Sequence, residues 1–300
     1  MSGTNRLFHF AAVTARKLHL WPIIARSGIY NRARRRKYPD SIVHLDVVIT
    51  ECCSLRCRDC SNLMQYYHNP ANLDVNEIIR SLQILLAAVR VNQLKILGGE
   101  PFVCQKQLIR LLEYLREEAD QRIGEIDIIT NGTIVPSDEC IMALKENPKL
   151  KVVFSNYGEL SNKLSEFADI CKREHIRYEV IEDKFWWDFG KPVLRDEKEG
   201  KTQHRYDGCY SRRLCTTLYR GRLYVCPRQA HALNLGFIPD CDDESVNIMN
   251  PEFAESKTLY DAVYGIVDRK KYITACRYCG SDSGIKVQRA IQSERPSDVS

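Results

Sequence analysis

Residues 42–60 read IVHLDVVITECCSLRCRDC. The first nine residues form an apolar, β-branched run that predicts a buried strand. The loop after it carries Cys53, Cys57 and Cys60 in a C-x3-C-x2-C spacing. Three thiolates this close can hold a cubane of four irons, which leaves one iron without a protein partner. Zinc is the competing reading. Structural zinc takes four closed ligands, often as C-x2-C pairs, and no fourth ligand stands nearby. Cys52 is adjacent but outside the spacing and is read as a non-ligand.

Outward from this loop the chain alternates short apolar runs with longer helical ones. Asp74 and Glu77 form a capping-box-like start, and Ile78, Leu82, Leu85, Leu86 and Val89 recur after it at helical spacing. A second strand is predicted over 94–97, ending in Gly98-Gly99-Glu100-Pro101. A helix then carries Leu108, Leu111, Leu112 and Leu115. A third strand over 126–129 closes on Thr130-Asn131-Gly132, and Ser137 caps a short helix. Residues 152–155 predict a fourth strand, 164–170 a helix and 178–181 a fifth strand. Residues 184–203, rich in charge and aromatics, read as a linker or lid. Repeated β-α units imply parallel strands joined by right-handed crossovers, with chemistry at the carboxyl ends of the strands. The cysteine loop, GGEP, TNG and SNYG all fall at such ends.

The 300 residues can bury a large core. There are 13 cysteines, no uninterrupted apolar signal region, and no stretch apolar enough to span a bilayer. Clustered cysteines in that context read as metal ligands of a cytoplasmic protein rather than disulfides. Charge is uneven. Arg6, Arg16, Lys17, Arg26, Arg32, Arg34, Arg35, Arg36 and Lys37 precede the first acid, Asp40, while the whole chain carries only +5. Residues 1–41 thus read as a basic extension, suited to a peripheral membrane or anionic contact, a transit peptide, or a solvated helix packing through Phe8, Phe10, Leu18, Leu20 and Trp21. No nucleic acid partner is expected.

GGEP gains meaning from its place after the cysteine loop. Glycines permit close backbone approach to a ligand, and Glu100 adds negative charge for an ammonium group. With these two motifs the chain resembles the radical S-adenosylmethionine (radical SAM) superfamily, over roughly residues 42–200. The resemblance implies a partial (β/α)6 TIM-like barrel, an α/β fold. It implies a [4Fe–4S] cluster on Cys53, Cys57 and Cys60, whose open iron is chelated by S-adenosylmethionine. It also implies reductive cleavage to a 5′-deoxyadenosyl radical that abstracts hydrogen from substrate, with an electron donor such as flavodoxin or ferredoxin. Gly98, Gly99, Glu100 and Pro101 are then cofactor-binding, with Thr130, Asn131 and Ser155 as further candidates; Asn131-Gly132 can equally be a plain turn. The family often has an aromatic residue before the third cysteine, where this chain has Asp59.

Past residue 204 the β-α rhythm ends. Cys209, Gly221 and Cys226 form C-x11-G-x4-C, followed by Cys276 and Cys279 as C-x2-C. This resembles the twitch domain, a shortened SPASM extension, and implies one auxiliary [4Fe–4S] cluster in a small domain over 204–300. The body would then divide at 203. Cys215 can replace Cys209 as a ligand, and zinc on four thiolates remains the alternative. Arg220-Gly221 is placed to turn a hairpin that returns Cys226 toward Cys209.

Substrate residues are less determined. Tyr66, Tyr67, His68, Phe185, Trp186, Trp187 and Asp188 can wall a pocket or simply pack. Arg212, Arg213 and Arg228 can hold an anion or lie in solvent. Cys104 and Cys215 are candidate hydrogen donors, Cys140 and Cys171 sit on apolar helix faces, and Cys52 and Cys241 remain unassigned. The twitch resemblance suggests oxidation of a small polyol, sugar or amino-sugar. A radical epimerase, a peptide or protein maturase, and a non-catalytic Fe–S or zinc protein are the alternatives. No separate leader-binding region is evident before residue 42, which weighs against the maturase.

Overall fold

The structure is a computed structural model that describes residues 41–240, 242–254 and 256–293. The basic extension and Cys241 lie outside the described residues, apart from Ser41. Five strands follow the predicted rhythm: β1 (Ser41–Thr50), β2 (Arg90–Gly98), β3 (Ile123–Thr130), β4 (Leu150–Ser155) and β5 (Tyr178–Ile181). Between them run α1 (Val75–Ala88), α2 (Gln105–Glu117), α3 (Asp138–Lys145) and α4 (Leu164–Arg173). Asp74 caps α1 by accepting from the Asn76 amide at 2.9 Å, and Ser137 caps α3 by accepting from Cys140 at 3.3 Å.

The remainder comprises β6 (Phe185–Trp187), α5 (Glu199–Gly208), α6 (Ser211–Leu214), β7 (Thr216–Tyr219), β8 (Arg222–Tyr224), α7 (Pro227–Asn234), β9 (Ser245–Asn247), α8 (Ser256–Val267) and β10 (Lys286–Gln288). One eight-stranded sheet has the order β5-β4-β3-β2-β1-β7-β8-β9. Neighbours from β5 through β7 pair in parallel; β8 and β9 are antiparallel. This is the α/β architecture with a mostly parallel sheet that the sequence predicts. Its sixth parallel strand is β7, which joins the far side of β1, whereas β6 pairs with β10 in a separate ribbon. A continuous apolar core unites Leu45, Leu82, Leu111 and Ile128 with Leu259, Val263 and Ile273 of the C-terminal region.

The parallel strands are not apolar on both faces. Asp46, Lys95, Asp127 and Lys151 are successive register partners across β1, β2, β3 and β4. They alternate with Leu45, Val47, Leu94, Ile96, Ile126, Ile128 and Val152, so they share the opposite face of the sheet. Lys95 stands 3.8 Å from Asp46, and Lys151 stands 3.7 Å from Asp127 and 2.8 Å from Glu179. Alternating signs let this row be buried without a net charge accumulating.

Candidate functional site

The cysteine loop begins where β1 ends, and the end of β2 holds it. Gly99 N donates to Thr50 O at 2.9 Å, and Glu100 N donates to Cys52 O at 2.8 Å. An ideal Cβ at Gly99 would overlap the Cys52 carbonyl and lie 2.8 Å from the Cys53 Cβ. The Gly-Gly pair therefore serves the approach of strand end to cysteine loop. Glu100 is fully buried. Its carboxylate accepts from Phe102 N, Thr130 Oγ1 and Asn131 N at 3.2, 2.9 and 2.7 Å. Burial pushes its pKa up to about 7 despite those bonds. The charge expected to face an ammonium group is thus engaged inside the protein, where it fastens GGEP to the end of β3.

Asn131 is buried, and its side-chain amide donates to Ser54 Oγ at 3.0 Å and to Cys53 Sγ at 3.8 Å. Its own carbonyl oxygen accepts from Thr133 N, so the Asn131-Gly132 turn and the contact with the cysteine loop coexist. Gly132 has φ 71°, in the region that favours glycine. Ser155 is half-buried, and its backbone carbonyl accepts from Ser161 Oγ at 3.3 Å. Gly98 and Pro101 complete the turn between β2 and α2.

Cys57 is buried, and Cys53 and Cys60 are half-buried. Burial pushes the Cys53 thiol up to about 12 and the Cys57 thiol up to about 11, with neighbouring cysteines adding to both. Three such thiols cannot ionise together without a compensating cation. A metal centre supplies that charge, so the donor set fits one. Asp59 is drawn aside by Arg58 at 2.9 Å. Residues 286–293 cross this loop from the other side: Arg58 N donates to Ile291 O at 2.7 Å, and Ser293 N donates to Arg56 O at 2.8 Å.

The later cysteines surround a second space. Cys209, Cys215, Cys226, Cys276 and Cys279 line a cavity of about 140 Å³, together with Asp46, Ser61, Asn62, Arg212 and Arg228. The hairpin between β7 and β8 turns on Arg220 (φ 47°) and Gly221 (φ 69°), the two-residue geometry that brings the chain back toward Cys226. Burial raises the Cys276 thiol well above its ordinary value, with Cys226, Cys209 and Cys279 adding to the effect. Among the described residues no three His, Cys, Asp or Glu side chains converge as a single metal ion requires; these thiols ring a cavity instead. Burial pushes Asp46 up to about 6, and its Oδ1 has no hydrogen-bond partner.

Other candidates separate. Cys104 is buried in the core and its thiol donates to Pro101 O at 3.3 Å, whereas Cys215 faces the cavity. Cys140 and Cys171 are fully buried. Tyr66 packs edge-on against Phe237, and His68 is exposed. Phe185 is exposed, Trp186 packs on Tyr157, and Asp188 Oδ1 accepts from Gly190 N at 2.6 Å. Arg228 donates to Gly190 O, and Arg213 to Asp207 O at 2.7 Å.

Three groups escaped the sequence reading. Arg205 is buried and bonds Asp282 Oδ1, Glu197 Oε2 and Cys276 O at 2.5, 2.7 and 2.7 Å, which anchors the turn that carries Cys276. Glu51, beside the cysteine loop, accepts from Tyr219 OH and from Arg220 Nη2 at 2.7 Å. Burial alone would raise the Glu51 carboxyl, but the bonds from Tyr219 and Arg220 outweigh it and lower its pKa. Tyr67 OH continues this network to Tyr219 OH and to Nδ1 of fully buried His231 at 2.8 Å. Gln292 is the third, placed against Cys57.

Residues 47–182 match the family model of the Radical SAM superfamily. The GTP 3′,8-cyclase of Clostridium perfringens is 25% identical over 146 residues, 48% of this chain and 43% of that protein. The chain thus matches less than half the length of that curated relative. The solved structure of native anSMEcpe with bound AdoMet aligns over 72% of this chain and 80% of its own, at 12% identity and a TM-score of 0.48. BtrN in complex with AdoMet and 2-DOIA aligns over 80% and 93%, at 15% identity and a TM-score of 0.41. The cysteine loop following β1, GGEP following β2 and the parallel sheet that joins them all lie inside the segment that matches the Radical SAM family model.

Proposed function

We propose that this chain is a radical SAM oxidoreductase acting on a small polyol, sugar or amino-sugar. Cys53, Cys57 and Cys60 would hold the [4Fe–4S] cluster that binds S-adenosylmethionine. Cys209, Cys226, Cys276 and Cys279 would hold an auxiliary cluster. Residues 42–203 would form the radical SAM core and 204–300 the auxiliary domain, with a flavodoxin- or ferredoxin-like donor supplying electrons. The observation that carries this reading is the cavity, which joins the four later cysteines to Ser61 and Asn62, immediately after Cys60. A substrate there would lie between the two cysteine sets.

When bound, the first cluster supplies the electron that cleaves S-adenosylmethionine; the protein's residues hold, orient and shield. Oxidation of a carbinol to a ketone removes one hydrogen atom from carbon, one proton from oxygen and one electron. S-adenosylmethionine held beside Cys53, Cys57 and Cys60 would supply the acceptor for the hydrogen atom, and Cys209, Cys226, Cys276 and Cys279 would hold the group that takes the electron. Asp46 is the carboxylate on the cavity wall, with Lys95 3.8 Å from its Oδ1, and would take the proton.

Anaerobic reconstitution tests the reading. About eight irons per chain are expected for two [4Fe–4S] clusters. Alanine at Cys53, Cys57 and Cys60 abolishes cleavage of S-adenosylmethionine, while alanine at Cys276 and Cys279 spares cleavage and stops product formation. One 5′-deoxyadenosine should appear per ketone; zinc in place of half the iron would overturn the auxiliary assignment. Epimerisation is the second reading, because the Cys215 thiol lines the same cavity and can return a hydrogen atom. Solvent deuterium appearing at an inverted carbon would select it.

A further inference from the structure

The segment 286–293 straps two distant parts of the chain together. It pairs antiparallel with β6 through Lys286–Gln288, then forms an antiparallel bridge between Gln292 and Cys57. Gln292 is exposed as a residue, yet both ends of its amide are held. Oε1 accepts from the Arg56 backbone N–H at 2.8 Å. Nε2 donates to Ala290 O at 2.8 Å and to Cys57 Sγ at 3.4 Å. The amide has one orientation that satisfies these partners. A backbone N–H can only donate and a backbone carbonyl can only accept, so oxygen must face Arg56 and nitrogen must face Ala290 and the sulfur.

Resting on the cluster assignment above, we propose that Gln292 is a positioning residue for the cluster: its amide N–H on the Cys57 sulfur raises the cluster's reduction potential. The physical cause is the charge that reduction adds. Part of it spreads onto the ligand sulfurs, and an N–H donor stabilises the more negative state more strongly. Asn131 places a second side-chain amide on Cys53, at the longer distance of 3.8 Å. The short contact belongs to the strap, so the C-terminal segment reaches the electronic properties of a site formed about 230 residues earlier in the chain.

The test uses the reconstituted full chain and a potentiometric titration of the EPR signal that changes on adding S-adenosylmethionine. Gln292→Leu removes the donor and keeps the bulk; Gln292→Glu keeps the acceptor for Arg56 and removes the N–H. Both should retain iron and titrate at lower potential. At a fixed potential near the wild-type midpoint, the ratio of reduced to oxidised cluster should fall about tenfold, or about 59 mV for a one-electron couple. Full iron with an unchanged midpoint in both variants would overturn the proposal. So would loss of iron from both, since the strap would then hold the loop rather than tune it. A wild-type chain with no signal that responds to S-adenosylmethionine would instead fail the cluster assignment itself.

Discussion

His231 should make the fold acid-sensitive in a window set by its own burial. The ring is fully buried on α7, Tyr67 OH engages Nδ1, and Nε2 has no hydrogen-bond partner. Burial pushes its pKa down to about 4, with Arg220 lowering it further and Glu51 opposing. The unfolded chain's histidine takes up a proton near its ordinary 6.5, while the folded one stays neutral until about 4. The unfolded state therefore binds more protons between those values, and stability falls as pH drops through the window. Between pH 7.5 and 4.5 the loss from this one group is about 2.5 kcal/mol, enough to move a urea midpoint by about 1 M. The assay is urea unfolding of the metal-free protein, wild type against His231→Asn, at several pH values. The variant loses packing at neutral pH but has no ring to protonate. The stability gap should therefore narrow by about 2.5 kcal/mol on acidification. A gap constant across the range would refute the reasoning.

Gly99→Ala should prevent the cysteine loop from seating, because its Cβ meets the Cys52 carbonyl; iron bound after reconstitution should fall most at the first site while the fold persists by circular dichroism. Arg205→Met leaves Glu197 and Asp282 without their buried partner and should cost about 3–5 kcal/mol in denaturant unfolding. Asp46→Asn should spare cleavage of S-adenosylmethionine and slow product formation by about 10²-fold or more, the scale of a lost general base. Equal slowing of both steps would place Asp46 in structure instead.

The β-α rhythm was legible because apolar periodicity is local. Tyr178–Ile181 was bounded as predicted, and the turn at Arg220-Gly221 followed from glycine chemistry. β2 read short at 94–97 because Arg90, Asn92 and Gln93 interrupt the apolar run, although Asn92 is buried and bonded to Ser41. The row Asp46–Lys95–Asp127–Lys151 was illegible for a related reason. Each charge looks like a surface residue until the register sets it beside its opposite on the next strand. GGEP was found as a motif, but the close approach of Gly99 to the Cys52 carbonyl could be seen only once the strand end and the cysteine loop were placed together. Gln292 and His231 carry no local signal at all. Their meaning depends on Cys57 and Tyr67, far away in sequence.

Strand β7 lies against β1 and supplies the sixth parallel strand. During synthesis, β1 emerges long before its partner. At roughly 5–20 residues per second, the chain between them takes on the order of 10–30 s to make. For that interval one edge of a fully buried strand has no neighbour, the state in which intermolecular pairing competes with folding. The yield of this protein should therefore depend on translation speed and on chaperones that bind nascent chains, more than its final stability would suggest.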